Sequence, residues 1–231
     1  MPRPPTRAVF FDVDFTLIYP GPMFQGAGYR EFCARRGIDV DPARFDAAVA
    51  AASGLLDADA GGGTYDPAVF VRYTRRIIEG MGGRGAQIDA AAADIYGEWA
   101  ACRHFSLYED VPDVLRALHA RGFRIGLISN TQRSLASFEE HFGLSGLFAV
   151  ALSSSDHGYM KPHPSIFEEA LRRAGALPAE AVMVGDSVPH DIEGARRLGM
   201  RGVLVARSGV SRACPPDIPV IRSLRELPPL L

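Results

Sequence analysis

Two carboxylates two residues apart, Asp12 and Asp14, follow directly on the apolar run Val9-Phe10-Phe11. Such a run reads as a strand buried on both faces, in the manner of a parallel sheet. Acids at the end of a buried strand must be satisfied by a cation, by donors or by protons. Alone, Asp-x-Asp after a strand reads equally as an Asx turn or a helix cap. Three further segments shift the balance. Ser129-Asn130 follows the apolar run ending at Ile128, Asp186 and Asp191 follow Ala181–Val184, and Lys161 stands in a polar loop between these two. Lys161 is the single lysine among 25 basic residues, so it occupies a position where this arginine-rich chain did not use arginine.

Carboxylates from two strand ends suit Mg²⁺, a hard ion that takes oxygen ligands and keeps several waters. One lysine beside them can hold an anionic group and damp their repulsion. A serine hydroxyl and backbone amides can bind phosphate oxygens, and the turn at Gly185-Asp186-Ser187 could set a phosphate near a helix N-terminus. An aspartate nucleophile beside a cation and a phosphate clamp points to phosphoryl transfer through an aspartyl-phosphate. That reaction is slow unaided, so charge neutralisation has more than about 15 kcal/mol of barrier to remove.

These residues need a scaffold that brings distant segments together. From Leu107 onward, helical and strand patterns alternate. Helices end at Gly122, Gly143, Gly175 and Gly199, and strands cover Arg124–Ile128, Phe148–Leu152, Ala181–Val184 and Val203–Val205. Val220-Ile221 adds a short edge strand. This alternation predicts right-handed βαβ units and a parallel sheet covered on both faces. Ligands of such sheets bind outside the carboxyl ends of the strands, where all four polar segments fall. Residues 18–104 read differently, as helix and loop. Ile18 onward is a Pro- and Gly-rich loop; Asp41-Pro42 and Asp66-Pro67 open helices with an N-cap and a proline in the first turn. Gly61–Gly63 and Gly80–Gly85 are breaks. The fold class is therefore α/β: a Rossmann-like core of residues 1–17 and 105–231, with an all-α insert of residues 18–104.

Bulk properties narrow the function. Net charge is −2 over 231 residues with no basic stripe, which argues against nucleic acid as a partner. No apolar run approaches the roughly 20 residues needed to span a membrane. The start MPRPPTR lacks an apolar signal core, so a cytoplasmic chain is expected. Cys33, Cys102 and Cys214 are odd in number and scattered, which fits reduced thiols better than a disulfide framework.

DVDFTL (12–17), Ser129-Asn130, Lys161-Pro162 and GDSVPHDIEGARRLGM (185–200), in that order, resemble the four motifs of the haloacid dehalogenase (HAD) superfamily. The insert resembles that superfamily's α-helical cap. The resemblance implies a Mg²⁺-dependent phosphatase acting on a small phosphorylated metabolite; monomer or homodimer both stand open. It makes Asp12 the nucleophile and a metal ligand. Asp14 becomes the general acid and base, with its carbonyl on the metal. Ser129 and Asn130 with a neighbouring amide hold the phosphoryl oxygens, and Lys161 neutralises the aspartyl-phosphate. Asp186 ligates Mg²⁺, with Asp191, Ser187 and Thr16 in support. Glycine often follows the second aspartate of the first motif. Phe15 stands there instead, which implies no need for positive φ and a ring that narrows the pocket toward the cap. Phe24 and His190 are further pocket candidates, flanked by Met23 and Gln25. His157 and His163 read as loop or cap residues, and Arg72, Arg75 and Arg76 as a solvated helix face. Asp14 argues against carbon–halogen hydrolysis, and a cap without lysine argues against a Schiff-base phosphonatase. A phosphomutase and a non-catalytic binding scaffold are the alternatives.

Overall fold

The computed structural model describes residues 4–58, 63–207 and 214–231. The chain opens with β1 (Ala8–Phe11) and β2 (Ile18–Pro20). Five helices follow: α1 (Gly26–Arg35), α2 (Phe45–Ala52), α3 (Gly54–Ala58), α4 (Pro67–Gly80) and α5 (Ile88–Trp99). After β3 (Phe105–Leu107) come α6 (Val111–Ala120), β4 (Arg124–Ser129), α7 (Leu135–His141), β5 (Phe148–Ser153) and α8 (Ser154–His157). The chain ends with α9 (Pro164–Ala174), β6 (Ala181–Gly185), α10 (Gly194–Arg197), β7 (Arg201–Val205) and β8 (Val220–Ile221). It divides into two compact units: Met1–Tyr19, Gly61–Tyr65 and Leu107–Leu231 in one, Pro20–Ala60 and Asp66–Ser106 in the other. The crossings thus fall at 19/20 and 106/107, against the expected 17/18 and 104/105, and residues 61–65 return to the first unit. Gly61 and Gly62 of the expected break lie outside the described residues.

The first unit is the predicted α/β core. Its six strands run parallel in the order β5-β4-β1-β6-β7-β8. The order reverses at β1 and β6, and the crevice outside that reversal is where open parallel sheets bind ligands. All four residues of β1 are fully buried, as a strand covered on both faces requires. Phe10, Ile128, Leu152 and Met183 of the sheet pack with Ile166, Phe167, Ala170 and Leu171 of α9 in one apolar cluster. Gly175 ends α9 in the left-handed region at φ 57°, where a side chain would be strained. Residues 63–65 lie along 158–160. Tyr65 N–H donates to Gly158 O at 2.8 Å, and Thr64 and Tyr159 form an antiparallel bridge.

The second unit holds α1–α5. Asp41 and Asp66 do cap as expected, accepting from Ala43 N–H (3.0 Å) and Ala68 N–H (2.9 Å). After Asp41 the first turn is a tight 3₁₀ turn, Pro42–Arg44, and α2 begins only at Phe45. Phe24, Trp99 and Phe105 meet with ring centroids 4.5–5.4 Å apart. Arg75 pairs with Glu79 and Asp89, Arg76 with Glu79 and Arg72 with Asp66, all with largely exposed arginines, so this is the solvated face the sequence suggested. Segment 18–104 is not wholly helix and loop, however. Ile18–Pro20 is a short strand in a two-stranded sheet with β3. Pairing satisfies backbone groups that a loop through this partly buried stretch would leave without partners. Among the described residues, no helix is long and apolar enough to cross a membrane.

Candidate active site

Sheet register explains why the polar segments meet. Phe11 pairs with Val184 on one side and Leu127 on the other. Asp12 N–H extends the ladder by donating to Val184 O at 2.9 Å. Asp12 therefore leaves β1 beside Gly185, one residue before Asp186 leaves β6, while Ser129 ends the neighbouring β4.

Asp12, Asp186 and Asp191 offer carboxylate oxygens that all lie within 4.8 Å of one another. Lys161, 3% exposed, donates from Nζ to Asp12 Oδ1 and to Asp191 Oδ1, both at 2.6 Å. One ammonium thus faces three acids. The electrostatics record the imbalance. Burial raises the Asp12 carboxyl, Lys161 opposes it, and the Asp191 charge adds to the rise, leaving it up at about 7. Asp186 opens to solvent, yet the surrounding protein and then the charges of Asp12 and Asp191 push its carboxyl well above the usual range. Burial alone would lower Lys161; the Asp12 and Asp191 charges win, and its ammonium is held above its ordinary value. Crowded oxygens that lack a matching positive charge fit a hard divalent cation.

Several neighbours hold this arrangement in place. Asn130 Nδ2 donates to Lys161 O at 2.9 Å, and Lys161 N–H donates back to Asn130 Oδ1 at 2.7 Å. The Asn130 side chain therefore locks the lysine loop. Ser129 is 1% exposed at the end of β4. After β6 the expected helix start is a wide π-type turn, Val188–Glu193, and α10 begins at Gly194. The turn carries Asp191 back over Gly185, where a Cβ would collide with its carboxylate. Ser187 N–H donates to Asp191 Oδ2 at 3.0 Å, so this amide is committed to the acid rather than to a phosphate. Ser187 Oγ meets His190 Nδ1 at 2.9 Å, and both residues are half-buried.

Asp14 stands apart from the three clustered acids. Its Oδ1 accepts from Arg133 Nη1 at 2.7 Å. Arg133 is 1% exposed and the largest fully buried side chain among the described residues. Sequence reading missed it: one arginine of 24, in the polar loop after Ser129-Asn130, carries no spacing signal that ties it to Asp14. Phe15 corrects a second expectation. It does adopt a left-handed backbone, φ 63°, where glycine would be unstrained, and the residue is 44% exposed. The turn needs it: Phe15 N–H donates to Ile18 O at 2.7 Å, and Leu17 N–H to Val13 O at 2.8 Å.

The remaining candidates sort by burial. Phe24, expected at the pocket, is 2% exposed and packed among Trp99, His104 and Phe105 in the second unit. Burial there removes it from the surface that a substrate would touch. Thr16 is fully buried, and its carbonyl accepts from Arg207 Nη2 at 2.9 Å. His163 caps α9 by accepting from Ser165 N–H, and His157 Nε2 meets Ser165 Oγ at 3.0 Å. Cys33, Cys102 and Cys214 are free thiols.

Comparison with known proteins places this geometry in context. The family model for haloacid dehalogenase-like hydrolases matches residues 6–199. The haloacid dehalogenase-like hydrolase domain-containing protein 3 of Danio rerio is 29% identical, over 98% of this chain and 96% of its own. A ribulose-1,5-bisphosphate 5-phosphatase of Halopiger xanaduensis is 33% identical, over 89% of this chain and 87% of its own. Among solved structures, a 2-haloacid dehalogenase from Pseudomonas syringae superposes with a TM-score of 0.63 at 28% identity, covering 97% of both chains. A HAD-hydrolase from Bacillus subtilis, described as bound to magnesium, reaches a TM-score of 0.76 at 19% identity, covering 98% of this chain and 99% of its own. That last likeness speaks to the fold alone.

Proposed function

We propose that this chain, which belongs to the haloacid dehalogenase-like hydrolase family, is a Mg²⁺-dependent phosphatase of a small phosphorylated metabolite. One observation carries the reading: Asp12, Asp186 and Asp191 converge on a single lysine, with Asp14 two residues beyond Asp12. Relatives named as phosphatases of ribulose bisphosphate, glyceraldehyde 3-phosphate and phosphoserine support the substrate class. The second unit, in the position of the insert, is the substrate-selecting cap of this reading.

In this mechanism Lys161 holds Asp12 Oδ1, and the other Asp12 oxygen attacks phosphorus. The bond from phosphorus to the leaving oxygen breaks as Asp14 gives that oxygen a proton. Ser129 and the adjacent backbone amide receive the phosphoryl oxygens. Ionised Asp14 then takes a proton from water, whose oxygen attacks phosphorus and releases Asp12 and inorganic phosphate. Asp12, Asp186 and the Asp14 carbonyl are the groups that would hold Mg²⁺, with Asp191 behind them. When bound, the ion offsets the negative charge that builds up around phosphorus.

The test is phosphate release across a panel of about a hundred metabolites, with Mg²⁺ and with chelator. Turnover of some phosphomonoesters, lost with chelator and recovered with Mg²⁺, is expected. Absence of turnover across the panel would overturn the reading in favour of a binding scaffold. Halide release from 2-haloacids without metal would replace it with a dehalogenase.

A further inference from the structure

Asp14 and Arg133 are 119 residues apart in sequence and 2.7 Å apart in space. The guanidinium side chain is wholly enclosed, whereas 17% of the Asp14 side chain reaches solvent. A buried arginine is always charged and offers a rigid planar fork, so it constrains its partner more tightly than an ammonium would.

Both ends of the contact are fixed from their backbones. Arg133 N–H donates to Thr131 Oγ1 at 3.0 Å, and Thr131 N–H donates to Ser154 Oγ at 3.1 Å. Asn130, in the same loop, is bonded to the Lys161 backbone. Asp14 sits in a turn closed by Phe15 N–H on Ile18 O, with Phe15 itself left-handed. Two rigid loops therefore present one fixed ion pair beside the acidic cluster.

We infer that Arg133 is a positioning residue for proton transfer. Its bond to Asp14 Oδ1 fixes the orientation in which that carboxyl delivers and removes the proton. This rests on the phosphatase reading above. As the bond from phosphorus to the leaving oxygen breaks and the bond to Asp12 forms, Asp14 passes its proton to the leaving oxygen. Arg133 gains and loses nothing; it fixes where the carboxyl is.

The consequence depends on the leaving group. p-Nitrophenolate departs readily without a proton, whereas an alkoxide needs one. Arg133→Met should lower kcat/KM for β-glycerophosphate by about a hundredfold, but by less than about tenfold for p-nitrophenyl phosphate. Arg133→Lys, which keeps the charge and loses the fork, should recover part of the loss on β-glycerophosphate. In an Asp14→Asn background, Arg133→Met should change kcat/KM for p-nitrophenyl phosphate by less than about twofold, because its target is gone. An equal loss on both substrates, or a further large loss in the Asp14→Asn background, overturns the inference and makes Arg133 a structural residue. If Arg133→Met fails to fold, the same ratio measured on Arg133→Lys decides: a larger loss on β-glycerophosphate supports positioning, and equal loss overturns it. Failure of the wild-type protein to hydrolyse either ester would instead count against the phosphatase reading.

Discussion

The α/β core carries two charged clusters near the same end of the sheet, and they are built on opposite principles. At the acidic cluster, three carboxylates crowd one ammonium. At the other, Asp110 and Arg207 balance one to one. Arg207 Nη1 donates to both Asp110 oxygens, at 2.9 and 2.7 Å, while Ser223 Oγ and Leu224 N–H each donate to Oδ2 at 2.6 Å. Arg207 also reaches Thr16 O and lies 4.1 Å from the centre of the Tyr108 ring. Desolvation works against ionised Asp110, but its hydrogen bonds from Arg207 and Ser223 prevail and hold its carboxyl below the usual range. Closed charge makes a joint between the start of α6, the end of β7 and the C-terminal segment. Open charge makes a site that waits for something positive.

The largest effect that separates the two comes from their aspartates. Asp12→Asn should abolish turnover, by at least about a thousandfold, while equilibrium unfolding in urea shows a stability equal to or above that of the parent. A variant that retains substantial turnover would remove Asp12 from its role. Asp110→Ala should do the reverse. It leaves Arg207 buried without its counter-charge, costs about 3–5 kcal/mol in unfolding free energy, and spares kcat in the folded fraction.

pH should pull the two clusters in opposite directions. Asp12 has a folded pKa of about 7, above its unfolded value of 3.8, so the metal-free native state binds the extra proton between these limits. Its contribution is present at low pH and is lost as pH rises from about 4 through 7. Mg²⁺ should restore that stability at pH 8 far more than at pH 5, and Asp12→Asn should flatten the slope. Asp110 has the contrary sign: its contribution is present above the unfolded pKa and is lost as pH falls through the depressed folded one. Thermal melts of parent, Asp12→Asn and Asp110→Ala across pH, with and without Mg²⁺, read both slopes.

The smallest effect concerns the turn between the two clusters, since Asp12 precedes it and Thr16 touches Arg207. Phe15→Gly should relieve the left-handed strain and raise stability by up to about 1 kcal/mol. If the ring also lines the pocket, the same variant changes the ranking of substrates; an unchanged ranking removes that role.

The contrast also explains what the sequence discloses. Strands, helix starts and the four polar segments were legible because each is local: an apolar run, a cap with its proline, a glycine at a helix end. The parallel sheet then converts four local signals into one site. Arg133 and Arg207 were not legible, because their partners lie 119 and 97 residues away and nothing distinguishes them among 24 arginines. The π-type turn before α10 was hidden by apolar spacing that suits an ordinary helix equally well. Phe24 was misplaced because an aromatic in a Gly-rich stretch looks exposed until Trp99 and Phe105 are seen against it.

The solitary lysine offers an unusual experimental handle. Isotopic enrichment at lysine would give this 231-residue chain one side-chain amine signal, and that amine lies between two carboxylates at the heart of the core. Titrating a colourless, spectroscopically silent ion could then be followed by a single magnetic resonance line, without substrate and without altering one atom of the site.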